Sequence, residues 1–172
     1  MKTIRNVSWM VCLTLVIGCG PSETPSVQSP SEGAAGSLYV TTDEPANVTP
    51  VGDARKVAKD GDGVTLLGNI GGTVKPFVNG IAAFTIVDPK VNCCPPEEGC
   101  PTPWDYCCKQ SEVKENIATV KFVNDQGRPI SQDARTLLGV KELSLVVIEG
   151  TAKRDAEGNL SVLAGKVFVK KR

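Results

Sequence analysis

Five of the seven cysteines in this chain of 172 residues lie within one stretch of sixteen residues. Their spacing is CC-x5-C-x6-CC, with an adjacent pair on either side of a single cysteine. Thiolates bind zinc and copper(I), so the stretch could hold a metal ion, although it lacks the C-x2-C spacing common in zinc sites. The candidate ligands are Cys93, Cys94, Cys100, Cys107 and Cys108.

The same cysteines allow two other kinds of chemistry. A segment with four prolines and little aliphatic content gains order from disulfides in an oxidising compartment, and five thiols leave one over. Adjacent cysteines form strained, labile disulfides, so thiol exchange is a third interpretation, although no C-x-x-C motif is present. Asp105 and two nearby glutamates favour the metal, whereas an oxidising compartment favours disulfides. The sequence leaves the choice open.

Two aromatic residues, Trp104 and Tyr106, lie inside the cysteine-rich stretch. They have two interpretations. In the first, the prolines around them display both rings as anchors for a binding partner. In the second, the rings pack the stretch onto the rest of the domain, as large aromatic side chains usually do.

The chain contains no histidine. This excludes histidine as a general base, as the partner of a serine or cysteine nucleophile, and as a metal ligand. No other acid–base pair or activated nucleophile stands out in the sequence, so no catalytic residue is predicted and an enzyme is not the favoured class.

The first nineteen residues are organised like an export signal. Lys2 and Arg5 precede an apolar stretch that ends at Ile17 and is too short to span a bilayer. A small residue and Cys19 follow, and the whole resembles the lipobox of bacterial lipoproteins. The resemblance implies that residues 1–18 are cleaved and that Cys19 carries a lipid, with the domain facing the periplasm or the cell exterior. An ordinary secretory signal and an uncleaved anchor are the alternatives.

The charge balance argues against nucleic acid as a partner. The chain has 19 basic and 19 acidic residues, and loss of the leader would leave 17 against 19, a net charge of −2. Single-strand binding needs exposed aromatic rings in a basic groove, but Phe84 and Phe122 alternate in phase with Ile86 and Val120 and are predicted to be core. The predicted partners are the membrane, through the lipid, and an unidentified small molecule or protein.

The rest of the chain divides into a tether and one domain. Residues 19–50 are rich in proline, serine and glutamate, which predicts a flexible tether. The domain is predicted over residues 51–172, with the cysteine-rich stretch as an insert at 91–110. Short helices are predicted at 53–59 and 131–139. Five strands rich in β-branched residues are predicted at 64–70, 82–88, 118–123, 143–153 and 160–169.

Five short strands with a helix between the third and fourth predict an OB-fold, a small closed barrel, with another small barrel or a sandwich as the alternative. The insert then lies between the second and third strands. Gly68 in the first strand is predicted to mark the bend or bulge that closure of a barrel needs. The predicted core residues are Val64, Leu66, Phe84, Ile86, Val120, Phe122, Val147 and Val162.

Residues 54–70 read ARKVAKDGDGVTLLGNI and resemble the opening of the bacterial OB-fold (BOF) family of small periplasmic proteins. That opening is a short helix, a polar turn and a V-x-L-x-G-x-I strand, and Glu149 with Gly150 resembles a later strand of the family. The resemblance implies an exported OB-fold without known catalysis that binds small ligands. The cysteine-rich insert departs from the pattern, so the ligands of the family are not carried over.

These observations predict a lipid-anchored, exported OB-fold that serves as a non-catalytic binding or scaffold module. The alternative is a metal-binding lipoprotein that uses the five cysteines of the insert to hold zinc or copper.

Overall fold

The computed structural model describes residues 36–95 and 99–171. The predicted signal peptide, Cys19 and the first part of the predicted tether lie outside the described residues. The strands are β1 (Thr49–Pro50), β2 (Gly63–Ile70), β3 (Ala83–Val87), β4 (Ile117–Phe122), β5 (Leu145–Arg154) and β6 (Leu160–Val169). The helices are α1 (Val51–Val57), α2 (Gln110–Glu115) and α3 (Ala134–Leu138). No helix in these two described ranges is long and apolar enough to cross a membrane.

The five longer strands form a closed barrel. They are hydrogen-bonded in the order β2-β3-β4-β6-β5, and β5 pairs back with β2 to close the sheet. The β4–β6 pair is parallel, and the other four pairs of the barrel are antiparallel. This strand order, with α3 between the third and fourth barrel strands, is that of an OB-fold. The predicted fold class is therefore confirmed.

The barrel is filled by apolar side chains that alternate along each strand. The rings of Phe84 and Phe122 are fully buried and stack with their centroids 6.1 Å apart. Seven of the eight predicted core residues lie in this core or against it. The exception is Val147, which is buried outside the central cluster, while its neighbours Val146 and Ile148 contribute to it. Residues 145–148 are all apolar, so this part of the strand gives no alternation from which its inward face can be predicted.

Barrel closure depends on a bulge, but not at the predicted glycine. Glu149 of β5 pairs with Lys166 of β6, but Gly150 pairs with Ala164, so Gly165 is the extra residue of a bulge in β6. A Cβ atom at Gly150 would lie 2.3 Å from the carbonyl oxygen of Leu163, so only glycine fits there. At Gly68 a Cβ atom would lie 2.9 Å from Cβ of Ile86. Gly68 therefore allows β2 to approach β3 closely. Of the predicted bend or bulge, the bulge is wrong, because the pairing of β2 with β5 passes through Gly68 without a shift in register.

The folded unit begins earlier than the predicted boundary at residue 51. The ring of Tyr39 packs edge-on against Phe122, with the centroids 5.9 Å apart, and Val40 bridges to Val167 of β6. Thr49 and Pro50 pair in parallel with β2. The average composition of residues 19–50 is that of a tether and does not reveal the few residues at its C-terminal end that pack against the barrel.

Candidate metal centre

The insert leaves the barrel after β3 and returns at β4. It contains two single 3-10 turns, Pro103–Asp105 and Cys107–Lys109, followed by α2, which the sequence analysis missed. Tyr106 lies between the two turns with a left-handed backbone (φ 55°). Because one residue both ends the first turn and precedes the second, Asp105 and Cys107 lie close together.

A small apolar cluster anchors the insert to the barrel. Tyr106 is fully buried there with Val87, Val91 and Val113. The backbone N–H of Gly72, just after β2, also donates to the carbonyl oxygen of Trp104 at 2.7 Å. Tyr106 therefore packs the insert onto the barrel, which is the second of the two interpretations, and its buried ring is not available as an anchor for a partner.

Trp104 occupies a different environment from Tyr106. It is half-buried, and its indole Nε1 donates to the carbonyl oxygen of Val74 at 3.2 Å. Val74 itself is 62% exposed. Part of the Trp104 ring therefore faces solvent beside the loop that follows β2.

The sulfur of one insert cysteine lies close to the sulfurs of three others. Sγ of Cys107 lies 3.9 Å from Sγ of Cys94, 3.8 Å from that of Cys100 and 3.8 Å from that of Cys108. Cys94 is buried, Cys100 is half-buried, and Cys107 and Cys108 are exposed. The convergence places the centre at the surface with one thiol on its buried side.

Cys93 does not share this arrangement. It is half-buried and packs against the apolar cluster around Tyr106. Among the described residues, the groups of potential ligands that lie within 4.8 Å of one another include the other four cysteines of the insert but not Cys93. The prediction of a ligand pool of five is therefore narrowed to four thiols.

Asp105 is the non-sulfur group at the centre. It is only 8% exposed, and its carboxylate accepts hydrogen bonds from the Thr102 hydroxyl at 2.7 Å and from the backbone N–H of Cys107 at 2.8 Å. The side-chain amide of Gln110 donates to the carbonyl oxygens of Asp105 and Tyr106 at 2.8 and 3.2 Å. These contacts fix the carboxylate beside Cys100 and Cys107, with which it forms a group of ligand atoms all within 4.8 Å.

The crowding of thiols shifts their proton affinities in opposite directions. Hydrogen bonds with the thiols of Cys108, Cys100 and Cys94, in that order, raise the pKa of Cys107 well above its ordinary value. Burial raises the pKa of Cys94, but hydrogen bonds from the Cys108 backbone and the neighbouring thiols outweigh it, so this pKa is lowered. The Thr102 hydroxyl lowers the pKa of Asp105 despite its burial. The lowered pKa values favour the anionic forms of Cys94 and Asp105, which are the forms that bind a cation, and metal binding would displace the proton from Cys107.

The distances fit shared metal ligands better than disulfides. Zinc–sulfur bonds of about 2.3 Å in a tetrahedral site place two ligand sulfurs about 3.8 Å apart. A disulfide requires about 2.05 Å, and each sulfur can form only one. Cys107 has three sulfur neighbours at 3.8–3.9 Å, which is the separation of sulfurs that bind the same metal ion, whereas it could form a disulfide with only one of them. The donor set of thiolates suits zinc or copper(I).

Comparisons with known proteins give no family for this chain. No family model matches it, and no curated protein matches it. Among solved structures, it is similar to the hypothetical protein ygiW from E. coli, with 14% identity and a TM-score of 0.40 over 77% of this chain and 96% of that one. It is also similar to a putative aspartyl-tRNA synthetase from Leishmania major Friedlin, with 9% identity and a TM-score of 0.43 over 79% of this chain and 24% of that one. Similarities at this level transfer no function.

Proposed function

We propose that this protein is an exported, lipid-anchored metal-binding protein in which an OB-fold barrel presents a thiolate centre for zinc or copper(I). The centre consists of Cys94, Cys100, Cys107 and Cys108. The observation that carries the proposal is the position of the Cys107 sulfur, 3.8–3.9 Å from three other sulfurs. The proposed role is to bind the ion and not to catalyse a reaction.

The residues around the thiols also support metal binding. A loop that only needed covalent staples would not require a nearly buried carboxylate beside two of its thiols, yet Asp105 is held there by Thr102 and the Cys107 backbone. Carboxylate oxygen is an ordinary zinc ligand and a charge partner for a cation. The apolar cluster around Tyr106 holds the insert against the barrel, so several of the ligand-bearing backbones are in place before a metal binds.

The proposed localisation rests on residues 1–19. The lipobox resemblance puts a lipid on Cys19, and the proline- and serine-rich residues that follow would hold the barrel away from the membrane surface. In this arrangement the metal centre faces the periplasm or the cell exterior.

Metal binding is tested by elemental analysis of the protein purified without reductant or added metal. We expect zinc or copper to co-purify, a chelator to remove it, and Cys107→Ser to lose most of it because this sulfur contacts the other three. Cys93→Ser is the matched control, since it removes an insert thiol outside the centre and should leave the metal content unchanged. Alkylation of the denatured, unreduced chain shows which thiols are free. If Cys107 is not alkylated because it forms a disulfide, and no metal is bound, the proposal is refuted.

The lipid anchor is tested separately by metabolic labelling with a radioactive fatty acid. Acyl transfer needs the thiol of Cys19, so Cys19→Ala should abolish the label while Cys93→Ser retains it. Undiminished labelling of Cys19→Ala would refute the anchor and leave the metal proposal intact.

A further inference from the structure

The potential ligands at the insert form two overlapping groups. One consists of Cys94, Cys107 and Cys108, and the other of Cys100, Asp105 and Cys107. Building on the proposed function, we infer that the insert holds two divalent thiophilic cations, one per group, with the Cys107 thiolate as the bridge between them. Zinc is the cation class that both groups accept, because it takes thiolate and carboxylate ligands together.

The geometry supports two ions because the four sulfurs are not arranged as one tetrahedron. In a tetrahedral site of four thiolates every pair of sulfurs is about 3.8 Å apart. Here that separation connects Cys107 to each of the other three, while the ligand groups within 4.8 Å divide into two sets that have only Cys107 in common. A sulfur that belongs to both groups is in the position that a bridging ligand would occupy.

The charges of the ligands point the same way. The two groups together contain five anionic ligands when ionised, four thiolates and one carboxylate. A thiol that binds no ion stays protonated and neutral, so only the thiols that contact a bound ion need to ionise. Two divalent ions would neutralise four of the five charges of the fully ionised cluster.

Asp105 is prepared for the second ion by its surroundings. Each of its carboxylate oxygens accepts one hydrogen bond, Oδ2 from Thr102 and Oδ1 from the Cys107 backbone, which leaves lone pairs on both for a metal. These bonds orient the carboxylate toward Cys100 and Cys107, as hydrogen bonds to ligand side chains do in metal sites. The burial of Tyr106, the next residue in the chain, and the hydrogen bond from Gln110 to the Asp105 carbonyl oxygen hold the short turn in place.

The inference is tested by the number of ions that the full chain binds. The reduced, metal-free protein is titrated with zinc, and in parallel with cobalt(II), whose thiolate charge-transfer absorption reports each binding step. We expect saturation at two equivalents for the wild-type chain. Asp105→Asn and Cys100→Ser should each lower this to one, and Cys94→Ser should also lower it to one by removing the other ion. Cys107→Ser should lose both ions.

A matched control and the alternative outcomes make the test decisive. Glu112→Gln removes an exposed acid on α2 that pairs with Lys109 and lies outside both groups, so it should still bind two equivalents. Asp105→Asn and Cys100→Ser remove the same ion through different residues. If circular dichroism shows that one of them is misfolded, the other still tests the inference. Saturation at one equivalent in the wild type, unchanged in Asp105→Asn, would overturn the two-ion centre and leave the proposed function standing. Retention of one ion by Cys107→Ser would overturn the bridge, and binding of no ion by the wild type would overturn both proposals.

Discussion

The backbone N–H of Gly52 donates a hydrogen bond of 2.7 Å to the carboxylate of Asp88. Asp88 follows β3 directly and is only 1% exposed, and its other oxygen accepts the backbone N–H of Lys90 at 2.9 Å. Gly52 lies in the first turn of α1, where N–H groups have no acceptor within the helix. One buried carboxylate therefore joins the start of α1 to the place where the insert leaves the barrel.

Asp88→Ala should destabilise the protein. It removes the acceptor of two backbone N–H groups in a buried place, at a cost of about 1–3 kcal/mol in the free energy of unfolding. Asp88→Asn keeps the shape and one acceptor oxygen, so it should lose less. Urea denaturation followed by circular dichroism measures both variants, and a wild-type midpoint for Asp88→Ala would show that this bond does not contribute to stability.

A methyl group at Gly71 should displace the insert. A Cβ atom there would lie 2.5 Å from the carbonyl oxygen of Trp104 and 2.9 Å from the Tyr106 ring. Gly71→Ala therefore forces the insert away from the backbone at residue 71. Gly63→Ala in the same strand region is the control, because a Cβ atom at Gly63 meets nothing within 4 Å. The fluorescence of Trp104, measured in a chain that lacks Trp9, should change in the first variant only. Equal spectra would mean that the insert can shift without altering the surroundings of Trp104.

The barrel could be predicted because its signals are local. Alternation in strands β2, β3 and β4 identifies the inward face. The helix predicted at 131–139 corresponds to α3, which Asp133 caps by accepting from the backbone N–H of Arg135 and which ends at the left-handed Gly139. Where alternation stops, as around Val147, the inward face was assigned wrongly. The position of the bulge also could not be predicted, since β2, β5 and β6 each have a glycine in their interior and only the pairing of β5 with β6 shows that Gly165 is the extra residue.

The candidate site was predictable in composition but not in arrangement. The cysteine spacing identified the ligand types, yet nothing in it separates Cys93 from Cys94, because which of two adjacent thiols faces the centre depends on the path of the loop. That path is set by the burial of Tyr106 and by its left-handed backbone. A left-handed tyrosine has no sequence signal, since such conformations are favoured by glycine and asparagine.

Stability should fall in acid through two exposed aspartates near the β5–β6 hairpin. The Arg154 backbone and then the Lys153 ammonium lower the pKa of Asp60, and the side chain and then the backbone of Asn159 lower the pKa of Asp155. A carboxylate whose pKa is lowered by folding contributes fully above its unfolded pKa of about 4, and this contribution is lost as the pH falls through the folded pKa.

The measurement is the urea midpoint at about pH 7 and at about pH 3, compared between the wild type and a variant with Asp60→Asn and Asp155→Asn. The double variant should be less stable at neutral pH and should lose less stability on acidification. Asp43→Asn is a control at an exposed aspartate outside this region. If the double variant loses as much stability in acid as the wild type, these two carboxylates are not the source of the acid sensitivity.

The thiols of the insert should order the region around Trp104, and Tyr106 should attach the insert to the barrel. With all five insert cysteines changed to serine, the barrel should keep its β-sheet circular dichroism, because its core contains no residue of the cysteine cluster. Trp104 should become more mobile, while Tyr106 stays buried among Val87, Val91 and Val113. Tyr106→Ala should instead detach the insert from the barrel, even when metal is supplied. Loss of a buried aromatic ring lowers the free energy of unfolding by about 3–5 kcal/mol. Fluorescence anisotropy of Trp104 and amide hydrogen exchange of residues 103–115 distinguish the two variants. Collapse of the whole sheet in the five-serine variant would show that the barrel needs the thiol centre in order to fold.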